Sequence, residues 1–412
     1  MGIGGVGVSS LAQVLLSRGD SVSGCDLNES ETTRDLERAG VSIQLGHAAS
    51  HVEGQDLLVH SAAVGPGNPE LEAARRAGVR ALSRAELLAD LIASTRSVAV
   101  AGTHGKTTTT HMLGQVLIAA GLEPTVLVGD GANTRVGTSD WLLAEADESD
   151  GSLVLHHPLH AIVTNLELDH PDHYPDLAAV RAVFNTFLGN LRDGGIAVVC
   201  VEDSELMALA TSGRRVTYGI ETGDYRWREL GMEIGVPGRH NALNACGVAA
   251  LALELGIERS VVSVALGGFR GAHRRLERLG TWRGAVLYDD YGHHPTEVAA
   301  TLQGARELVS DGGRLVLVFQ PHRYTRLEAM MADFPASFAG TDVLLINEVY
   351  AAGESNPNGI TARTLAEQVP GSFFAPDLGR VHSLLQELVN PGDLVLFMGA
   401  GDIGKVGRAL AQ

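Results

Sequence analysis

A chain of 412 residues is too long for one ordinary core and sets an expectation of two or three domains. Its net charge of −18 argues against nonspecific binding to nucleic acid or an anionic membrane surface, although a local basic pocket could still hold an anionic substrate. Three scattered cysteines without metal spacing (Cys25, Cys200, Cys246) suggest buried thiols in a reducing cytoplasm, and neither a membrane span nor a signal-peptide pattern is visible.

The first block runs over residues 1–94. It opens with Gly2-Ile-Gly4-Gly5-Val-Gly7, continues as a helical pattern through Leu11, Val14 and Leu15, and reaches strands at 21–26 and 57–61. Asn68-Pro69 then opens a helix through Leu71 and Ala74. Strands alternating with helices predict a parallel sheet. The glycines could hold a pyrophosphate with Asp26 near a ribose, but this fingerprint is weak alone.

The second block, 95–269, starts with the strand 97–101 and breaks at Gly102-Thr103-His104-Gly105-Lys106-Thr107-Thr108 before a helix. A glycine-rich turn between a strand and a helix is the setting in which backbone N–H groups cradle phosphate. Position 100 is Val, where the usual loop has Gly, so this is a shortened variant. The chain has only two lysines, Lys106 and Lys405, and Arg serves elsewhere. A lysine retained here implies a need for a compact point charge on β- and γ-phosphates, with the Thr107 hydroxyl on Mg²⁺. The loop is expected to be exposed. Strands follow at 141–145, 161–164 and 196–200, and a helix at about 242–255. Glu145 ends its strand and suits Mg²⁺. Asp147, Glu148 and Asp150 read equally well as a solvated acidic loop. His170, after Thr164-Asn165-Leu-Glu167-Leu-Asp169, could ligate a metal or touch a phosphate. The expected metal set is thus Thr107, Glu145 and His170. Asn241 could cap the helix while sharing a face with Asn244.

The third block, 270–412, carries strands at 285–288, 315–319, 343–346 and 394–397. Asp289-Asp290-Tyr291-Gly-His293-His294-Pro295 follows the first of these, but adjacent histidines make a poor chelate. Phe319-Gln-Pro-His322-Arg323-Tyr-Thr-Arg326 places two guanidinium groups where they suit a carboxylate ligand. Gly399-x-Gly401-x-x-Gly404 reads as a structural turn.

Taken in order, GIGGVG, AGTHGKTTTT, AEADESD, VTNLELDH, GRHNALNA, DDYGHHPTE, FQPHRYTR and GAGDIGK resemble the Mur ligases over nearly the whole chain. The segment Phe319–Arg326 is most similar to the alanine-adding member. The resemblance implies a three-domain α/β protein: a Rossmann-like domain for UDP, a P-loop ATPase-like domain with a mostly parallel sheet, and a Rossmann-like domain for an amino acid. It implies ATP-dependent joining of L-alanine to UDP-N-acetylmuramate through an acyl phosphate, in cytoplasmic peptidoglycan synthesis, by a monomer or homodimer that uses Mg²⁺ or Mn²⁺. Lys106, Thr107, Glu145 and His170 would handle phosphates and metal. Asn241, Asn244, Arg275 and Asp290 would serve ATP, and Tyr291, His293, Arg323 and Arg326 the alanine. Sister ligases carry a carbamylated lysine. Lys405 lies in the wrong domain for that role and Lys106 must stay cationic, so none is expected here.

Two departures from the family pattern stand out. A strand is expected before the glycine loop, which here starts at Met1-Gly2, and the region 222–237 is short. A nicotinamide-dependent oxidoreductase is the reading from another class, but it leaves Lys106 and Glu145 unexplained. A non-catalytic nucleotide-binding relative is a third, separable only by turnover.

Overall fold

The computed structural model describes residues 1–129, 134–171, 173–356 and 358–412. Two compact units are distinguishable: residues 1–166, 181–226 and 247–265 form the first, and residues 167–180, 227–246 and 266–412 the second.

In the first unit the glycine loop leads into α1 (Val6–Ser17), followed by β1 (Ser23–Asp26), β2 (Ser42–Leu45), β3 (Leu57–His60), α2 (Pro69–Ala77), β4 (Arg80–Ser83) and α3 (Arg84–Ser94). β1 pairs with β2 and β3 with β4, all parallel. The backbone of Met1–Ile3 bonds to both pairs: Ser61 N–H donates to the Met1 carbonyl at 3.2 Å, and Gly2 and Ile3 donate to the Cys25 carbonyl at 2.9 and 3.1 Å. Asn68 caps α2, with Pro69 at its first position, as the turn predicts.

A seven-stranded sheet continues the unit. Its strands are β5 (Arg96–Ala101), β6 (Thr125–Leu127), β7 (Trp141–Glu145), β8 (His160–Val163), β9 (Ile196–Cys200), β10 (Arg214–Gly219) and β11 (Tyr225–Arg226), in the order β11-β10-β9-β8-β5-β7-β6. Every pairing is parallel. β9 is apolar and buried throughout, and so are β5 from Val98 to Ala101 and β8 from Ala161 to Val163, as strands covered on both faces must be. After β5 the chain turns through Gly102 into α4 (Lys106–Ala119). Leu11, Val14, Leu87, Leu91 and Ile92 share one core with Leu127, Leu142 and Ala144, so α1 and α3 pack with the edge of this sheet.

The second unit has a six-stranded sheet, in the order β12-β13-β17-β14-β15-β16: β12 (Glu277–Trp282), β13 (Ala285–Asp290), β14 (Leu315–Phe319), β15 (Val343–Asn347), β16 (Phe373–Ala375) and β17 (Leu394–Met398). Only β12 runs antiparallel. The period of two along β14 divides the core: Leu315, Leu317 and Phe319 join one cluster, Val316 and Val318 the other.

Several strands escape the sequence reading. β2, β4 and β12 are largely exposed or half-buried, while β6, β11 and β16 have three residues or fewer, so none shows the apolar run that marks a central strand. The helix expected from Ala242 begins at Arg239. Asn241 therefore lies inside its first turn, not at its cap, and its Nδ2 donates to the Pro237 carbonyl at 2.6 Å. The short region 222–237 forms β11 and a single helical turn, Trp227–Leu230.

Candidate active site

The loop between β5 and α4 is tied down from β8. Thr103 N–H donates to the Asn165 carbonyl at 3.1 Å and His104 N–H to Asn165 Oδ1 at 2.8 Å. Asn165 Nδ2 and Thr164 Oγ1 both donate to the His104 carbonyl, at 3.0 and 2.6 Å. Gly102 has φ +140°, and a Cβ there would lie 1.9 Å from Thr164 Oγ1, so no larger residue fits. Gly105, at φ +83°, turns the chain into α4 immediately before Lys106.

Contrary to the expectation of an exposed loop, Lys106 is largely buried. Its Nζ donates to the Gly102 carbonyl at 2.7 Å, to the Thr103 carbonyl at 3.2 Å and to Glu148 Oε2 at 2.7 Å, with Asp147 at 3.5 Å. Burial opposes its charge, but Glu148, Asp147 and Glu145 outweigh it and hold the ammonium above the usual lysine range. Glu148 is also buried, so it is not the solvated loop residue that its sequence context allowed.

Thr107 Oγ1 donates to both Glu145 oxygens at 3.0 and 3.1 Å, and Gly129 N–H donates to Glu145 at 2.9 Å. The parallel register sets Val100 opposite Glu145, which aligns that carboxylate with the end of β5. A hydroxyl and a carboxylate side by side are hard oxygen donors that fit Mg²⁺ with its remaining waters. Thr103, Thr107 and Thr108 are buried and His104 is half-buried.

Also in the first unit, Asp26 Oδ2 accepts from Gly4 N–H at 2.9 Å, and a Cβ at Gly4 would come within 3.0 Å of it. Gly2 has φ +69°, a Cβ at Gly5 would come within 3.2 Å of the Gly2 carbonyl, and one at Gly7 would meet Arg84 at 2.5 Å. Asp26 thus shapes the glycine loop.

In the second unit a different constellation forms. Arg326, on the helical turn Tyr324–Ala329, donates from Nε to Asp169 Oδ1 at 2.9 Å, and both side chains are buried. The same Asp169 oxygen accepts the backbone N–H of His170 at 2.7 Å, and His170 has φ +55°. Burial would raise the Asp169 carboxyl, but Arg326 and His170 hold it well below the usual aspartate range. Next to Arg326 stands His322, whose ring lies 5.5 Å from that of His293 and stacks on Tyr350 at 5.8 Å. Burial lowers His293 to about 3 and His322 to about 4, so both rings are neutral at pH 7. Tyr291 meets His293 edge-on at 5.6 Å. Arg323 is held at φ +70° and reaches Glu354 at 3.4 Å.

Asp290 accepts from Leu276 N–H and Gly292 N–H at 2.7 and 2.8 Å. Burial pushes its carboxyl up to about 6. Arg275 pairs with Glu297 at 3.6 Å and lies over the Tyr291 ring. Asn241 and Asn244 are buried. His294 caps the helix Pro295–Arg306, accepting from Thr296 N–H, which leaves it a structural role beside its neighbour.

The structure thus joins Lys106, Thr107 and Glu145 in the first unit, and Tyr291, His293, Arg323 and Arg326 in the second, where His170 also lies. Sequence reasoning overlooked Thr164, Asn165, Asp169, His322 and Glu354. The first four sit in motifs it had already marked, within a few residues of the side chains it chose; Glu354 lies in a segment it had not marked.

Comparison with known proteins decides what this arrangement belongs to. Residues 1–96 match the Mur ligase family, catalytic domain; residues 100–252 match the Mur ligase middle domain; residues 274–401 match the Mur ligase, glutamate ligase domain. The chain belongs to the Mur ligase family. Among its relatives, the UDP-N-acetylmuramate–L-alanine ligase of Desulfosudis oleivorans is 40% identical, the match covering 99% of this chain and 96% of the relative. The enzyme of that name from Solibacter usitatus is 41% identical over 100% and 94%. Among solved structures, the UDP-N-acetylmuramate–alanine ligase of Thermotoga maritima superposes with a TM-score of 0.78 at 29% identity, covering 99% of this chain and 96% of that one. The murein peptide ligase of Psychrobacter arcticus gives 0.66 at 24% identity, over 99% and 96%. This Mur ligase therefore has the expected three-domain α/β fold, with a parallel central sheet. No helix among its described residues is long and apolar enough to cross a membrane.

Proposed function

We propose that this Mur ligase joins L-alanine to UDP-N-acetylmuramate and converts ATP to ADP and phosphate, in peptidoglycan-precursor synthesis. The observation that carries the reading is the clamped loop with Lys106 and the Thr107–Glu145 pair, in a chain matched end to end by relatives of that name. We assign residues 1–94 to the UDP substrate, 95–269 to ATP and 270–412 to the amino acid. Since both large substrates are nucleotides, we place the reaction in the cytoplasm.

The muramyl carboxylate oxygen attacks the γ-phosphorus of ATP and the bond to the β-phosphate oxygen breaks, releasing ADP and leaving an acyl phosphate. The alanine amine then attacks the acyl carbon and loses a proton, and the tetrahedral intermediate expels phosphate. The first step replaces a poor leaving group with a good one. Gly102 to Thr108 are assigned to the phosphates of ATP, the backbone N–H groups from Gly105 onward forming the cradle at the N-terminus of α4 while Thr103 and His104 anchor the loop on Asn165. Lys106, now balanced by Glu148, stabilises the charge that spreads over the transferred phosphoryl group. Thr107 and Glu145 would hold Mg²⁺ or Mn²⁺, which would supply further charge neutralisation, and His170 is likewise assigned a metal-binding role. Asn241, Asn244, Arg275 and Asp290 are assigned to ATP. Gly2, Gly4, Gly5, Gly7 and Asp26 are assigned to the UDP moiety, and Tyr291, His293, Arg323 and Arg326 to alanine. No carbamylated lysine takes part in this scheme.

The test is phosphate release with ATP, Mg²⁺ and UDP-N-acetylmuramate, with L-alanine, glycine and L-serine added in turn. Release that depends on both the muramyl nucleotide and alanine supports the assignment. Release that ignores either one refutes it.

A further inference from the structure

We propose that Cys25, His47, His51 and Glu70 form a binding site for a borderline-soft divalent metal, with zinc the best match, in the N-terminal part of the first unit. The Cys25 Sγ lies 3.1 and 3.3 Å from the Glu70 oxygens and 3.5 Å from His47 Nδ1. His47 Nδ1 and His51 Nδ1 each lie 3.0 Å from Glu70 Oε1. Cys25, His51 and Glu70 offer donor atoms that all lie within 4.8 Å of one another. A tetrahedral zinc ion with bonds of about 2.0–2.3 Å has ligand–ligand edges of about 3.4–3.6 Å, so these three would close in on it, with His47 swinging in from the Cys25–Glu70 side as the fourth. The four side chains come from β1, from the loop after β2, from the 3₁₀ turn Ala49–Val52 and from the first turn of α2. Their wide sequence separation explains why Cys25 shows no metal spacing.

The chemistry of the set points the same way. A thiolate, two imidazoles and one carboxylate suit zinc and exclude Mg²⁺, which prefers oxygen ligands alone. Thiolate and carboxylate together balance a dication, so the buried site would be neutral. Cys25 and Glu70 are nearly inaccessible, while the two histidines are each 18% exposed and leave an entry path. Without a cation, burial and Glu70 push the thiol up to about 12. The competing arrangement is a knot of hydrogen bonds in which thiol, imidazoles and Ala48 N–H all donate to Glu70.

With four protein ligands the site is closed and structural, not catalytic. Its effect would reach the glycine loop, because the Cys25 carbonyl accepts from Gly2 and Ile3 and the adjacent Asp26 holds Gly4. The inference does not depend on which substrates the enzyme uses.

The experiment uses the full-length chain, stripped with a chelator and titrated with Co²⁺ and then Zn²⁺ in excess Mg²⁺. One Co²⁺ per chain is expected, with a thiolate-to-cobalt charge-transfer band and tetrahedral d–d bands that Zn²⁺ abolishes. Cys25→Ser should remove the charge-transfer band, whereas Cys200→Ser and Cys246→Ser should keep it. His47→Ala and His51→Ala should each weaken Zn²⁺ at least about tenfold. X-ray absorption at the zinc edge of the wild-type protein gives a readout independent of variant folding. One sulfur with three nitrogen or oxygen neighbours supports the site. Absence of sulfur, or Cys25→Ser that binds both metals like the wild type, overturns it and leaves the hydrogen-bond knot.

Discussion

Asp169→Asn isolates the charge that organises the second unit. In the native protein one carboxylate oxygen accepts from Arg326 Nε at 2.9 Å and from His170 N–H at 2.7 Å, and both ionic side chains are buried. Asparagine keeps an acceptor for these donors but removes the charge. Opposite charges about 4 Å apart attract by about 4 kcal/mol at an effective dielectric of about 20. Breaking a buried pair outright costs about 3–5 kcal/mol. Because the carboxylate no longer needs to be desolvated, we expect a loss of about 2–3 kcal/mol. The readout is hydrogen exchange of the full chain, followed in peptides from β14 and β17, whose amides report opening of this unit. Exchange there should accelerate by about 30- to 150-fold at pH 7. The pH dependence follows from the sign of the shift. A carboxyl held below its usual range stabilises fully above that range, and the stabilisation is lost as pH falls through the depressed value. The wild-type advantage should therefore stay constant from pH 8 to 5 and shrink only below about 4. Exchange within threefold of wild type at pH 7, or a gap that already narrows between pH 7 and 5, would refute the reasoning.

Lys106→Ala should abolish phosphate release and also destabilise the first unit by about 3–5 kcal/mol, because Glu148 is left buried without its partner; Lys106→Ala/Glu148→Gln should regain most of the stability, measured by urea unfolding, but none of the turnover. Arg323→Ala and Arg326→Ala should raise the KM for alanine at least tenfold, since a charge-assisted hydrogen bond is worth about 1.5–3 kcal/mol, while the KM for ATP changes little; an unchanged alanine KM in both variants would remove them from that role. Turnover in CO₂-depleted buffer should match that with added bicarbonate, and rescue by bicarbonate would show that a lysine carbamate takes part after all.

The central strands and the loop chemistry were legible because each is written locally. β7, β9 and β14 have the bounds read from their sequence, each an apolar run closed by a change to polar residues at or just past its end. Gly102 and Gly105 both have positive φ and lead into Lys106 and Thr107, the residues assigned to phosphate and metal. Partners across the sheet were not legible. Nothing within the acidic segment Glu145–Asp150 tells which carboxylate answers Lys106; parallel register assigns Glu145 to Thr107, and the following turn buries Glu148 against the ammonium. Asp169 was passed over for the same reason, since its partner lies 157 residues away.

The two glycine fingerprints show most directly what a pattern alone leaves open. Both have the spacing Gly-x-Gly-x-x-Gly, yet the atoms that enforce it differ. At Gly399 and Gly401 a Cβ would strike Gln320, at 2.6 Å from its carbonyl and 2.4 Å from its Oε1, and at Gly404 it would come within 2.6 Å of Asp289. Every one of those neighbours belongs to the packed interior of the second unit, so the glycines there admit protein. Around Gly2–Gly7 a Cβ would also meet side chains, of Ser61, Asp26 and Arg84, but Gly2, Gly4 and Gly7 are only half-buried and the turn between them, Gly5-Val6, is exposed, whereas Gly399 and Gly404 are buried. A glycine loop whose backbone is already filled by its own side chains has no room for a phosphate, whereas one that keeps an exposed turn beside a strand-end carboxylate does. That difference in what fills the space, which spacing cannot encode, is why the first fingerprint is assigned to the nucleotide substrate and the second to the fold.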